Sequence, residues 1–525
     1  MNTIFTRISK RLAVWAVALC SCVVSAQDVS VPQKGLDSIT PGEMKHHVYV
    51  LADDGMQGRD TPSPELDSAA AYIAGEFESY GLEKLTPENG YYQYFNVLRS
   101  KLSEPNTFSI CTVGDSEEYR LKYDFVPMYT TANSKVDNKE VVFAGYGITA
   151  PEYGYDDYEG IDVQDKIVCM FKNEPQMDDS ASVFEGLKET DHSKIRLKTE
   201  NAIEHGAVGI IFLSDPTKPF RRPPNSWPSL MRNAPENAVP LTLEEHNDKK
   251  LVCMSVGRNL SNDLFEGSGM TPLSAFDAID STGAPCSMVL SGRTVTMQTM
   301  LDANPASVKN VAAMIRGSDP ALQNEYIIIG GHYDHVGVQN NEIYNGADDN
   351  ASGTAGVMEI AEAFACCGEK PKRSVIFIAF AGEEKGLFGS RFFASNPVPC
   401  KAGEIVAMLN MDMISRNDSN EVAIIGSKTS NFLKEANEKV NTRYVHMDLA
   451  YDMDRYFLQS DHYSFYKIGV PVLFYNTKDT PDLHRPTDDP EKIIPEKMSN
   501  IGKLVFSTAW ITANSPEKPD YIKVR

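Results

Sequence analysis

The feature that most constrains this chain is a set of continuous apolar stretches in its second half, each ending on an acid or a histidine. Residues 325–329 run into Gly330-Gly331-His332-Tyr333-Asp334-His335. Residues 374–381 run into Gly382-Glu383-Glu384, residues 405–411 into Asp412, and residues 470–475 into a loop that holds His484. Between the first two, residues 351–365 place Val357, Met358, Ile360, Ala361 and Phe364 at helical spacing. Apolar strands without polar alternation, separated by helices, predict an α/β sheet buried on both faces. In such sheets ligands bind beyond the carboxyl ends of the strands. Every acid and histidine named here lies at such an end or at a helix start.

Carboxylates and imidazoles are the donors that Zn²⁺ accepts in catalytic sites. The candidate ligands are His332, Asp348, Glu384, Asp412 and His484. Asp348, Glu384 and Asp412 carry three negative charges, which two divalent ions and one hydroxide bring to neutrality. One ion would leave like charges crowded together, which is costly unless they are protonated. Taken singly, Asp348-Asp349 could cap a helix and Glu383-Glu384 could be a solvated turn. Asp412 resists such an account, because it interrupts the apolar run 406–414, where an unpaired carboxylate is expensive. Recurrence at successive strand ends favours one joint site.

The rest of the 525 residues divides by texture. Residues 41–85 show helical spacing with a stop at Gly81. From about 125 to 299 short β-like runs dominate: 141–143, 166–171 and 209–213. Residues 201–206 read as a helix end, and 173–190 and 215–237 as polar surface loops. Behind a segment 1–26 read as a signal peptide, texture separates 27–125, a β-rich 126–300 and an α/β 301–525.

The N-terminus has basic Arg7, Lys10 and Arg11, an uncharged apolar stretch from 12 to 24, and the small-residue site Val24-Ser25-Ala26. That pattern is an export signal leaving Gln27 first, giving a periplasmic or secreted protein. Leu19-Cys20-Ser21-Cys22 partly resembles a lipid-attachment box, so an anchor at Cys22 is the alternative. No later segment has the uninterrupted apolar length of a transmembrane helix. The formal charge of −22 disfavours nucleic acid and anionic membranes as partners. Seven cysteines follow the signal, without a C-x-x-C or Cys/His cluster, so zinc–thiolate chemistry is not expected.

The runs 330–337, 346–353, 380–390, 410–414, Ser460-Asp461-His462 and 484–489 together resemble the co-catalytic zinc aminopeptidases, a family that includes glutamate carboxypeptidase relatives. Gly58-Arg59 and Gly81-Leu82 look similar to the start of that catalytic domain. Residues 143–148, 156–158, 160–163, 201–202 and 206–207 resemble a protease-associated domain inserted into it. The resemblance implies a three-layer αβα exopeptidase domain with a mostly parallel central sheet, split into 27–125 and 301–525 by the insertion 126–300. It implies two Zn²⁺, with Asp348 bridging, His332 and Asp412 completing one ion, and Glu384 and His484 the other. It also implies Glu383 as general base, Asp334 as the residue orienting His332, and a cis peptide between Asp348 and Asp349.

Adjacent glutamates can divide ligation from proton transfer because neighbouring side chains at a strand end point differently. Some relatives carry a tyrosine before the last histidine, where this chain has Leu483; Tyr456 is the nearest substitute. Tyr456, Ser460, Asp461, His462 and Arg416 are the candidate substrate contacts. The expected activity is removal of N-terminal residues from peptides. A carboxypeptidase or dipeptidase would need cations for a terminal carboxylate, and Arg416, Arg391 and Arg485 lie near the motifs. A receptor that has lost its ligands is the non-enzymatic alternative.

Overall fold

A computed structural model describes residues 29–128, 131–177, 179–184, 190–217, 238–244 and 251–524. The signal segment, its cleavage site and Cys22 lie outside these residues, as does most of the expected loop 215–237.

The apolar runs become the middle of a ten-stranded sheet. Its strands are β1 (Tyr92–Leu102), β2 (Ala238–Leu243), β3 (Leu301–Ile315), β4 (Tyr326–His332), β5 (Ser374–Phe380), β6 (Ile405–Met411), β7 (Glu421–Ile425), β8 (Asp448–Ala450) and β9 (Val472–Asn476). Their order is β2-β1-β3-β5-β4-β6-β9-β7-β8, and the short strand Glu83–Lys84 also pairs with β3. The central strands β5, β4, β6 and β9 are parallel, whereas β1, β2 and β3 join antiparallel at one side and β7 joins antiparallel at the other. Parallelism is therefore confined to the site-bearing middle and the β7–β8 pair.

Strand alternation splits the core into two layers. Ile327 and Ile329 of β4 with Val375, Phe377 and Ala379 of β5 pack against α1 (Pro41–Leu51), α2 (Pro64–Ser79), α3 (Gly353–Cys366) and a long C-terminal helix (Pro495–Asn514). Ile328, Ile376, Ile378 and Phe380 face the other way, against Phe393 of helix Phe388–Ser395 and Phe465 of helix His462–Tyr466. Both faces are covered, which is why these strands carry no polar alternation. Among the described residues no helix is long and apolar enough to cross a membrane.

A second, eight-stranded sheet takes its strands from between Thr107 and Thr299. It begins earlier than the expected boundary at 126, because strands Thr107–Thr112 and Asp115–Tyr119 belong to it. The latter is almost wholly exposed and offers no apolar run to read. β2 also departs from the expectation, leaving this region to pair with β1. The crossings between the sheets lie side by side: Ser103 N donates to Met300 O at 2.9 Å, and Asn106 Nδ2 donates to Met300 O at 3.2 Å. The seven described cysteines are all free.

Candidate metal centre

β4 ends on His332, which is buried with its main-chain O accepting from Thr354 Oγ1 at 2.7 Å. Its Nδ1 lies 3.1 Å from the Asp334 main-chain oxygen, so Nδ1–H donates there and Nε2 is the nitrogen that faces the carboxylates. Nε2 then lies 3.2 Å from Asp412 Oδ1, 3.4 Å from Asp349 Oδ1 and 4.0 Å from Glu383 Oε2. Burial works against a charged His332, but Asp412, Glu383 and Asp349 outweigh it and hold its pKa well above the usual range.

The turn Ala347–Ser352 carries the central carboxylate, and here the structure differs from the sequence expectation. Asp349, not Asp348, faces His332 and Asp412 on one side and His335, Glu384 and His484 on the other. The Asp348 carboxylate turns away, with Oδ1 accepting from Ser415 N at 2.8 Å and Ser415 Oγ at 2.7 Å. The cis peptide is Asp349–Asn350, one residue later than expected. Local contacts account for this placement. Asp488 accepts from the amides of Asp348 (3.0 Å) and Asp349 (3.1 Å). Asn350 Nδ2 donates to Met411 O at 3.0 Å, and its Oδ1 accepts from Met413 N at 3.1 Å and Gly353 N at 2.8 Å. The turn is thereby locked to the end of β6. Gly346 enters it at φ +60°, where a Cβ would lie 2.4 Å from the His335 ring.

Asp412 follows β6 directly, and its Oδ2 accepts from Ser460 Oγ at 2.7 Å. Glu384 Oε1 lies 2.8 Å from His335 Nδ1, and its Oε2 lies 3.0 Å from His484 Nε2. His484 Nε2 is also 3.1 Å from Asp349 Oδ2. Although burial and Asp349 oppose it, the two imidazoles draw the Glu384 pKa down to about 2. Glu383 behaves oppositely. Burial, with Glu384, Asp412 and Asp461 adding to it and His332 opposing, holds its pKa well above the usual glutamate range.

Asp334 does not grip His332 through its side chain, as expected: the nearer oxygen is its main-chain one, and Oδ1 is 3.7 Å away. Its carboxylate instead accepts from Glu383 N at 3.1 Å and Thr61 Oγ1 at 3.1 Å, joining the β4 and β5 loops. Ser460, Asp461 and His462 are fully buried beneath the site, which corrects their expected place as substrate contacts. Ser460 supports Asp412, and His462 stacks on Phe474 with its pKa pushed down to about 3 by burial. Tyr456 Oη donates to Asp479 and accepts from Arg455. Arg416 pairs with Asp482 at 2.5 Å and Asp488 at 3.5 Å.

Sequence reasoning missed three groups. His335 was visible only as a second histidine three residues after His332. Asp488 sits in the 484–489 run but acts on amides 140 positions away. Arg59, fully buried, donates to Tyr333 O (2.8 Å), Asn345 O (2.9 Å), Gly346 O (3.0 Å) and Leu51 O. Burial lowers its pKa to about 10, against the pull of Asp334, Asp349, Asp488 and Glu384.

The donors form two sets that share Asp349: His332, Asp349 and Asp412, and His335, Asp349, Glu384 and His484, with donor atoms in each set within 4.8 Å of one another. Buried carboxylates this close require compensating positive charge. The donor chemistry, carboxylate oxygen with imidazole nitrogen and no thiolate, fits a pair of zinc ions.

Residues 310–509 match the profile of Peptidase family M28. A probable leucine aminopeptidase of Arthroderma otae is 32% identical over 206 residues, covering 37% of this chain and 56% of that protein. A probable zinc metalloprotease of Pyrenophora tritici-repentis is 26% identical over 273 residues, covering 42% of this chain and 60% of that protein. The chain thus spans little more than half the length of these curated relatives. An aminopeptidase from Aneurinibacillus sp. strain AM-1 superposes with a TM-score of 0.54 at 20% identity, over 94% of this chain and 99% of that structure. At that identity the likeness speaks for the fold.

Proposed function

We propose that the protein is an exported two-zinc aminopeptidase acting on peptides, a reading supported by the match of residues 310–509 to Peptidase family M28. The observation that carries the reading is the pair of donor sets meeting at Asp349 with Glu383 beside them, 4.0 Å from His332 Nε2. Asp349 is the shared ligand, His332 and Asp412 serve one ion, and Glu384 and His484 serve the other. When bound, such a pair supplies Lewis acidity to the scissile carbonyl and to the attacking water.

The chain's own residues do the rest. Glu383 is 11% exposed and stands 4.0 Å from His332 Nε2, where it is placed to take the water proton and pass it to the leaving amine. Asp334 fixes the Glu383 main chain by accepting its amide hydrogen. Arg416 is occupied by two aspartates, which argues against its holding a substrate's terminal carboxylate and favours attack from the amino end. We assign the second sheet to a protease-associated insertion that shapes access, supported by its adjacent entry and exit. The basic–apolar–small pattern of residues 1–26 supports export.

The deciding experiment is incubation with short peptides blocked at either end, followed by mass spectrometry. Cleavage that requires a free N-terminus supports the reading, and cleavage that requires a free C-terminus overturns it.

A further inference from the structure

The two donor sets are unequal, and His335 makes them so. The first offers one imidazole and two carboxylates, and the second offers two imidazoles and two carboxylates. His335 is completely buried. Its ring lies against Gly346, and its amide donates to Arg59 O at 3.3 Å, so main chain fixes its direction. Nε2 meets no polar partner among the described residues, and the polar contacts of the ring run through Nδ1, toward Glu384 and Asp349. The separations around the second set are 2.8 Å (His335–Glu384), 3.7 Å (His335–Asp349), 3.0 Å (His484–Glu384) and 3.1 Å (His484–Asp349). Glu384 turns Oε1 to His335 and Oε2 to His484, and one donor atom from each of the four residues lies within 4.8 Å of the others, close enough to share one ion.

We infer that His335 is a fourth protein donor at the second position, which leaves the first the more open of the two. The inference rests on the two-ion reading and extends it. A position with three protein donors has more room for exchanging ligands than one with four. The His332–Asp349–Asp412 position is then the one that exchanges ligands. The imidazole-rich position fills first, because nitrogen donors favour zinc over the harder cations that carboxylates accept.

The alternative role for His335 is to hold Glu384 by a hydrogen bond without touching an ion. His335→Asn separates the two, because the asparagine amide nitrogen sits near Nδ1 and can donate to Glu384 but has no lone pair for zinc. The metal-free full chain is titrated with zinc, with bound ions counted by native mass spectrometry. X-ray absorption at one equivalent then counts imidazoles per ion. Wild type should show two imidazoles on the first ion bound, whereas His335→Asn and His335→Ala should show fewer and bind it at least tenfold more weakly, with circular dichroism unchanged. Wild-type-like affinity and imidazole count in His335→Asn would overturn the inference and make His335 a positioning residue. A wild-type chain that never takes up a second ion would overturn the two-ion reading. The imidazole count at its single ion would still decide the role of His335.

Discussion

Asp348 and Asp349 are adjacent, both buried and chemically identical, yet they do different things. Asp349 belongs to both donor sets, whereas Asp348 accepts from Ser415. Asp349→Asn should therefore reduce bound zinc well below two per chain by elemental analysis. Asp348→Asn should leave two ions bound and show its effect in denaturant unfolding, at about 1–3 kcal/mol for disturbed buried hydrogen bonds. The same contrast holds for the two glutamates. Glu383→Gln should keep both ions while turnover falls by ~10²–10⁴-fold, the usual contribution of a general base. Near-normal turnover in that variant would remove Glu383 from the mechanism. Sequence placed the ligand in the Asp-Asp pair but one residue early. Which carboxylate points inward depends on how Asp488 holds the turn and how Asn350 ties it to Met411 and Met413, contacts that are not local.

Strand ends bring the ligands near one another, and the loops beyond them need their own fastening. Arg59 ties the loop after β4 to the turn before α3 by donating to carbonyls from both. Replacing Arg59 by leucine orphans several buried carbonyls at once, and should cost at least ~3 kcal/mol in denaturant unfolding. Asp488 anchors the turn itself. Asp488→Asn should weaken zinc binding by about 10–100-fold in a competitive chelator titration, the range typical of groups behind metal ligands. The strands β5, β6 and β9 were legible to within a few residues, because burial on both faces leaves a continuous apolar signature. The antiparallel flank was less legible. β3 carries an exposed, polar first half through Asp302, Asn304 and Pro305, and no strand was expected over its length.

The whole molecule places several carboxylates within a few ångströms of one another in its interior, a charge arrangement that bound cations stabilise. Chelation should lower the melting temperature and zinc should restore it, because an ion that binds only the folded state adds its binding free energy to stability. An unchanged transition would mean that the cluster is balanced by other means. The sequence by itself determined the sheet's buried centre, the strand ends as the place of chemistry, and the residue types that fill them. Those follow from local patterns: periodicity reports burial, and an acid closing an apolar run reports a compensated charge. Only the tertiary structure decided that Asp349 is the shared donor, that His335 joins the second set, and that Ser460, Asp461 and His462 lie beneath the site. Each depends on contacts between segments tens to hundreds of residues apart, and side-chain direction at such junctions is set by the partner that arrives, which spacing along the chain does not encode.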